Sequence, residues 1–304
     1  MKVIPYGRQS ISESDIDAVR QVLDSDFLTQ GPAVPKFEEQ VADYCRAKYG
    51  TATSSATAGL HLACLALGVT AGDVVWTSPI TFVASANCAV YCGATVDFVD
   101  ISLKSYNMCP NALEEKLIRA ELAGKLPKAV IPVHLSGQSC DMERIHKLSE
   151  RYGFSIIEDA SHAIGARYLG EQVGCCRFSD ITVFSFHPVK IITTGEGGLA
   201  VTNDEVLDYK MKLLRSHGIT RDENRLEGHS EGPWYYQQIE LGLNYRMTEM
   251  QAALGLSQMI RLQNFVARRN MLAERYDAAI SDLPLTTPWR HDHCYSAFHL
   301  YVIT

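Results

Sequence analysis

Between residues 51 and 203 six short β-rich runs, "VVWTSP", "TVDFVD", "AVIPVHL", "FSIIEDA", "ITVFSFH" and "LAVTND", alternate with helical patterns such as "TFVASANCAVYCG" and "MERIHKLSERYG". A strand followed by a helix and then another strand returns parallel to the first. This spacing therefore predicts an α/β fold, a mainly parallel sheet covered by helices. Ligands of such sheets gather outside the carboxyl ends of the strands. Any chemistry is expected just after the last residue of each run.

Helical patterns flank this region. Ser12 with Asp15 three residues on reads as a capping-box start for a first helix ending near Ser25. A "TQGP" turn leads to a second amphipathic helix, "PKFEEQVADYCRAKYG", with Gly50 expected to close it. Beyond 204 come "EVLDYKMKLLRSHG" and one long helical pattern over 247–280. The run "AFHLYVIT" at 297–304 reads as an opening strand. The division expected is a large domain over 1–245, then, over 246–304, a connecting long helix and the start of a small C-terminal α+β domain that is incomplete at Thr304.

Composition excludes several classes of function. The net charge of -7 is wrong for a protein held to nucleic acid by phosphate contacts. Nine scattered cysteines without CxxC spacing read as reduced thiols of a cytoplasmic protein, with no metal site. No apolar stretch approaches the roughly 18 residues of a membrane span, so no membrane partner is expected.

Two ionisable residues stand where a ligand would lie. Asp159 closes "FSIIEDA", and Lys190 follows the strand of "VFSFHPVK" by a few residues. A carboxylate that keeps a pyridine nitrogen charged, paired with an amine that condenses with an aldehyde, is the division of labour pyridoxal phosphate (PLP) requires. Each residue taken alone also reads as a turn cap or a solvated loop lysine. Ser54, Ser55 and Thr57 sit at the mouth of a helix, where free N–H groups and the dipole suit a phosphate; Ser55 reads equally well as a plain N-cap. Ser185 offers a further hydroxyl, Phe82 a ring to lie on a pyridine, and His162 a partner for a phenolic oxygen, though core or structural roles fit all three. The glycines of "TTGEGG" permit a sharp turn and close backbone approach, and no GxGxxG follows a strand, which counts against an NAD oxidoreductase.

In order and spacing, "SSATAGL", "SPITFVASAN", "EDASHAIGA", "FSFHPVKIITTGEGG", "RSHGI" and "LGLNYRMTEMQAALGLSQ" resemble the DegT-type family of PLP-dependent sugar aminotransferases. The resemblance implies fold type I, with a seven-stranded sheet and a small C-terminal domain that family members complete with several tens of further residues. It implies that Lys190 anchors PLP covalently and moves protons. Asp159 would pair with the ring nitrogen, Phe82 would stack, and His162 would sit near the ring hydroxyl. Ser55, Ala56, Thr57 and Ser185 would hold the phosphate, and Asn244 would reach the phosphate of a neighbouring subunit, so a homodimer with shared sites is implied. Tyr6, Asp26, Phe27, Leu28 and Thr29 match the stretch that meets the nucleotide sugar. "MKVIPYGRQSI", "FLTQGP" and "RSHGITRD" with "GPWYYQQIELGLNYRM" are similar to the branch that aminates C4 of a UDP-linked 6-deoxy-4-keto-N-acetylhexosamine, as in pseudaminic acid biosynthesis, with glutamate as donor. Amination at C3 or C4 of another nucleotide-linked ketosugar, or a non-catalytic sensor of PLP or nucleotide sugar, are the alternatives. A sister class that removes a sugar hydroxyl has histidine at the anchor, whereas this chain has Lys190.

Overall fold

In the computed structural model, which describes residues 7–304, helix α1 (Glu13–Leu23) and helix α2 (Ala33–Cys45) precede the sheet. Then follow β1 (Tyr49–Thr53), α3 (Ala56–Ala66), β2 (Val74–Thr77), α4 (Ala84–Tyr91), β3 (Thr95–Phe98), α5 (Pro110–Leu122), β4 (Ala129–Ile131), α6 (Met142–Tyr152) and β5 (Ser155–Asp159). Strands β6 (Ile181–Ser185) and β7 (Gly198–Thr202) complete the main sheet, and α7 (Glu205–Arg215), α8 (Glu249–Met259) and α9 (Leu262–Ala279) follow.

The strand order is β1-β7-β6-β5-β4-β2-β3. Neighbours from β3 through β6 are parallel, and β7 runs against both β6 and β1. The mainly parallel seven-stranded sheet is therefore present. Strand β1 is the one that the reading by runs omitted, because "YGTAT" is short and holds no bulky β-branched residue. The central strands are buried along most of their length and rich in Ile, Val and Phe, as strands covered on both faces must be. In β6, Ile181 and Val183 face the core under α3 and α7, while Phe184 faces the opposite core with Phe37 and Phe186. Each fully buried side chain of this size contributes roughly 1.5–3 kcal/mol.

The structure corrects three local expectations. Helix α2 ends at Cys45, with Arg46 in the left-handed region at φ 63°, and Gly50 lies inside β1. Its glycine serves close approach, since a Cβ there would lie 2.7 Å from the Glu38 carbonyl oxygen. The helical pattern over 247–280 is two helices, interrupted at Ile260 and Arg261. At the break Arg261 turns its guanidinium onto Asp15, a fully buried carboxylate that also accepts from the Ser12 N–H at 2.8 Å, Ser257 Oγ at 2.6 Å and Gln258 Nε2 at 2.8 Å. Burial opposes ionisation of Asp15, but these hydrogen bonds outweigh it and hold the carboxyl below its ordinary range. Finally, 297–304 is not an opening strand. Ala297 N–H donates to Gly137 O at 2.9 Å, and Thr304 and Thr286 exchange backbone hydrogen bonds of 2.7 and 3.1 Å. The strand actually formed is Cys294–Tyr295, paired with Arg167–Tyr168.

Candidate active site

Side chains alternate across a strand, so the last residues of β5 and β6 can be assigned to faces from their neighbours. Ile157 and Val183 pack under α3. Asp159 and Ser185, two residues further along each strand, point the same way and emerge at the carboxyl end, beside the start of α3. There Ser55 is the N-cap, accepting from the Ala58 N–H at 3.1 Å. Both readings of Ser55 are thus compatible, because the cap leaves the N–H groups of Ala56 and Thr57 without intrahelical acceptors. Such a terminus suits an anion.

Gly198 opens β7 directly behind this terminus, where a Cβ would lie 2.5 Å from Ala56 N. The obstacle is backbone at the end of a packed helix and cannot swing aside. Gly198→Ala is expected to cost about 2–3 kcal/mol by overpacking and to weaken cofactor binding, because the shift falls on the phosphate-facing N–H groups. Thermal melts and PLP titration check both effects; an unchanged cofactor affinity would contradict the cradle assignment.

The cavity above these residues measures about 690 Å³. Ser55, Ala56, Thr57, Phe82, Asp159, His162, Ser185 and Lys190 all line it. Lys190 sits on the β6–β7 connection, whose base is closed by hydrogen bonds from Thr194 N–H (3.0 Å) and Thr193 Oγ1 (2.9 Å) to Phe186 O, and its N–H donates to His187 O at 2.9 Å. Asp159 is 4% exposed. Its oxygens accept from Ser85 Oγ at 2.6 Å and from the Ser161 N–H at 3.1 Å. Among the described residues Lys190 makes no ion pair, so amine and carboxylate share one cavity without closing on each other. Burial lowers the Lys190 pKa and Asp159 only partly opposes this, which brings the free amine nearer to neutral pH.

His162 has a defined tautomer. Its Nδ1 accepts from the Ser136 N–H at 3.3 Å, which leaves the proton on Nε2. Ser136 presents that N–H from a left-handed turn at φ 60°. The His299 ring lies over the His162 ring, with centroids 4.4 Å apart. Burial and then the Lys190 charge push His162 down to about 4, against an opposing effect of Asp159. Burial and then His162 push His299 down to about 2. Both rings are neutral at physiological pH. Since His299 in the folded chain refuses a proton that the unfolded chain accepts below about 6.5, its contribution to stability is full above that pH and declines as pH falls. Melting temperature is expected to fall less between pH 7 and pH 5 in His299→Phe than in the wild type; parallel curves would contradict this.

Not every expected site residue meets at the cavity. Asn244 is exposed and bridges Ser216 by backbone pairing, and Asp26, Phe27, Leu28 and Thr29 form an exposed turn; none of them lines the cavity. Tyr6 lies outside the described residues. Four contributors were not singled out from the sequence: Ser85, Ser161, Ser136 and His299. Ser85 and Ser161 lie inside the quoted motifs "SPITFVASAN" and "EDASHAIGA", where the nearby Phe82 and Asp159 drew the reading.

The residues present fit PLP. A helix terminus with free N–H groups stands for the phosphate, a buried carboxylate oriented by two serines for the ring nitrogen, and an unpaired amine for the aldehyde. Two further buried atoms, Ser136 Oγ and His299 Nδ1, have no partner among the described residues, so polar capacity remains beside His162.

Comparison with known proteins gives the same direction. The sequence profile of the DegT/DnrJ/EryC1/StrS aminotransferase family matches residues 9–304. The chain is 40% identical over 303 residues to the UDP-4-amino-4,6-dideoxy-N-acetyl-beta-L-altrosamine transaminase of Campylobacter jejuni, covering 99% of this chain and 76% of the relative. Among solved structures it resembles Helicobacter pylori PseC, an aminotransferase involved in the biosynthesis of pseudoaminic acid, with TM-score 0.89 and 34% identity, covering 99% of this chain and 77% of the other. It also resembles Spr1654 of Streptococcus pneumoniae in its PLP form, with TM-score 0.87 and 28% identity over 99% and 77% of the two chains.

Proposed function

Because the chain belongs to the DegT/DnrJ/EryC1/StrS aminotransferase family, we propose that it moves an amino group from glutamate to the C4 ketone of a UDP-linked 6-deoxy-4-keto-N-acetylhexosamine, as pseudaminic acid biosynthesis requires. It is a PLP-dependent sugar-nucleotide aminotransferase of fold type I. The observation that carries the reading is the shared cavity of Lys190 and Asp159 at the ends of neighbouring strands.

When bound, PLP supplies an aldehyde that takes up an amine and a ring that withdraws electrons from the adjacent C–H bond. Asp159, held by Ser85 and Ser161, would offer its carboxylate to the ring nitrogen. Ala56 and Thr57 offer backbone N–H groups to the phosphate, with Ser55 and Ser185 beside them. Phe82, 71% exposed in the single chain, would cover a ring face. His162 donates through Nε2–H. Lys190 Nζ, whose proton burial makes easier to lose, would take the proton from the donor's α-carbon in one half-reaction and return a proton to the sugar carbon in the other.

A homodimer is part of the same proposal, with Asn244 serving the neighbouring subunit's phosphate. Exposed apolar side chains on the segment that leads to Asn244 support it: Trp234 is 65% and Leu241 86% exposed in the single chain. Mixing inactive Lys190→Ala and Asn244→Ala proteins under subunit exchange is expected to restore roughly a quarter of the sites, since each mixed dimer regains one intact site. No recovery would contradict shared sites. Asp26, Phe27, Leu28 and Thr29 are assigned to the nucleotide sugar on resemblance, and a cytoplasmic place of action is supported by nine free thiols.

The function is tested by following the visible absorption of the PLP-loaded protein. Glutamate should remove it, and a UDP-4-ketosugar should restore it with the new amine at C4. Restoration only by a 3-ketosugar, or no response to glutamate, would overturn the reading.

A further inference from the structure

A second cavity, of about 330 Å³, adjoins the first, and Lys190 belongs to the wall of both. Its other cations are Arg8, from the segment before α1, and Arg268 and Arg269, from α9. No aspartate or glutamate lines it among the described residues. Among the described residues none of these four cations has a carboxylate within ion-pair distance, whereas the neighbouring Arg261 is matched to Asp15. Among the described residues, the hydrogen bond that Arg268 makes is to the Met271 sulfur, at 3.6 Å. Arg269 is fixed by donation from Nη1 to the Phe298 and His299 carbonyl oxygens, at 3.0 and 3.2 Å. Its remaining N–H groups are left for another acceptor. Three guanidinium groups and an amine gathered without an acid, in a chain of net charge -7, make a local positive site suited to an anion from outside.

We propose that this cavity binds the carboxylates of the amino donor, a dicarboxylic α-amino acid, at Arg8, Arg268 and Arg269. The inference deepens the aminotransferase reading and rests on it. The donor's α-carboxylate is one bond from the carbon whose proton Lys190 takes, so an anion site must lie next to that lysine. The diphosphate of the sugar substrate is attached at C1, across the ring from a C4 ketone, and lies farther from Lys190. A volume of 330 Å³ is at the small end of ligand clefts, which suits a five-carbon diacid better than a nucleotide sugar. The bidentate fork of arginine matches a carboxylate, and one wall is apolar, with Phe265 and Leu272 available to the methylene chain. Donor and sugar would then use Lys190 in turn while resting their charges in different places.

The test uses the PLP-loaded protein and glutarate, a diacid without the amine. Arg8 and Arg268 are exposed, so the double variant Arg8→Ala/Arg268→Ala is expected to fold; Arg269→Lys is the second variant, retaining charge but not the fork. Calorimetric glutarate affinity should fall about ten- to a hundredfold in each, the size expected for losing a charge-assisted partner. KM for glutamate should rise by a similar factor, so that the ratio of glutamate to UDP-aminosugar KM shifts in the same direction. Unchanged glutarate affinity, or equal losses for glutamate and the UDP-aminosugar, would overturn the donor site. If wild-type protein binds glutarate but transaminates neither substrate, the aminotransferase reading fails instead, and the glutarate affinities of the variants still decide whether the cavity holds a diacid.

Discussion

Lys190→Ala is expected to lower transamination on the order of 10⁴-fold, the upper range for removal of a general acid and base that no neighbour replaces. The effect should fall on kcat in both half-reactions, since the same amine moves the proton in each. Stability should not fall with it. Burial disfavours the charged form of Lys190, and no carboxylate among the described residues pairs with it, so the lysine places a desolvated cation in the native state. Melting temperature should be equal to or above that of the wild type. His187 lies on the same connection and lines the same cavity, but it is more exposed and three residues from the anchor. Turnover within tenfold of the wild type would remove Lys190 from the chemistry.

Asp159→Asn is the second large effect. The amide keeps the size of the side chain, and the hydroxyls of Ser85 and Ser161 can reverse donor and acceptor roles around it, so the fold should survive. What is lost is the charge beneath the ring nitrogen. PLP affinity is expected to fall about ten- to a hundredfold, as for a hydrogen bond to a charged partner. Turnover at saturating PLP should fall a further 10²–10³-fold or so, the range for removing one preorganised electrostatic contact. Spectral titration with PLP separates the two effects. A variant that binds and turns over like the wild type would mean that Asp159 only closes a turn.

The fold and the heart of the site were legible because they rest on local patterns. Strands such as "ITVFSFH" are rich in bulky apolar and β-branched residues on both faces, which is what burial on both faces demands. Asp159 was legible because a charge that closes such a run has to emerge at the sheet's carboxyl edge, and Lys190 because it follows the next run by only a few residues. Strand β1 escaped because four of its five residues are Gly, Ala or Thr and its place comes from pairing with β7. The break at Arg261 escaped for a similar reason: no glycine or proline marks it, and the residue that Arg261 reaches, Asp15, is 246 positions away. Asp15 was read as a helix cap, and it is one, but the same carboxylate also ties the first helix to α8. His299 carried no signal at all. Its place over His162 depends on residues 297–304 crossing the turn at Ser136, a contact that sequence periodicity does not encode.

The claim on which all of this depends is that the amine of Lys190 and the carboxylate of Asp159 hold one PLP molecule between them. It is tested most directly by treating the PLP-loaded protein with borohydride, digesting it, and locating the phosphopyridoxyl mass. The account predicts that mass on the peptide containing Lys190, in near-stoichiometric amount. The same mass on any other lysine, or protein that retains the visible absorption of bound PLP yet carries no label at Lys190, would contradict it.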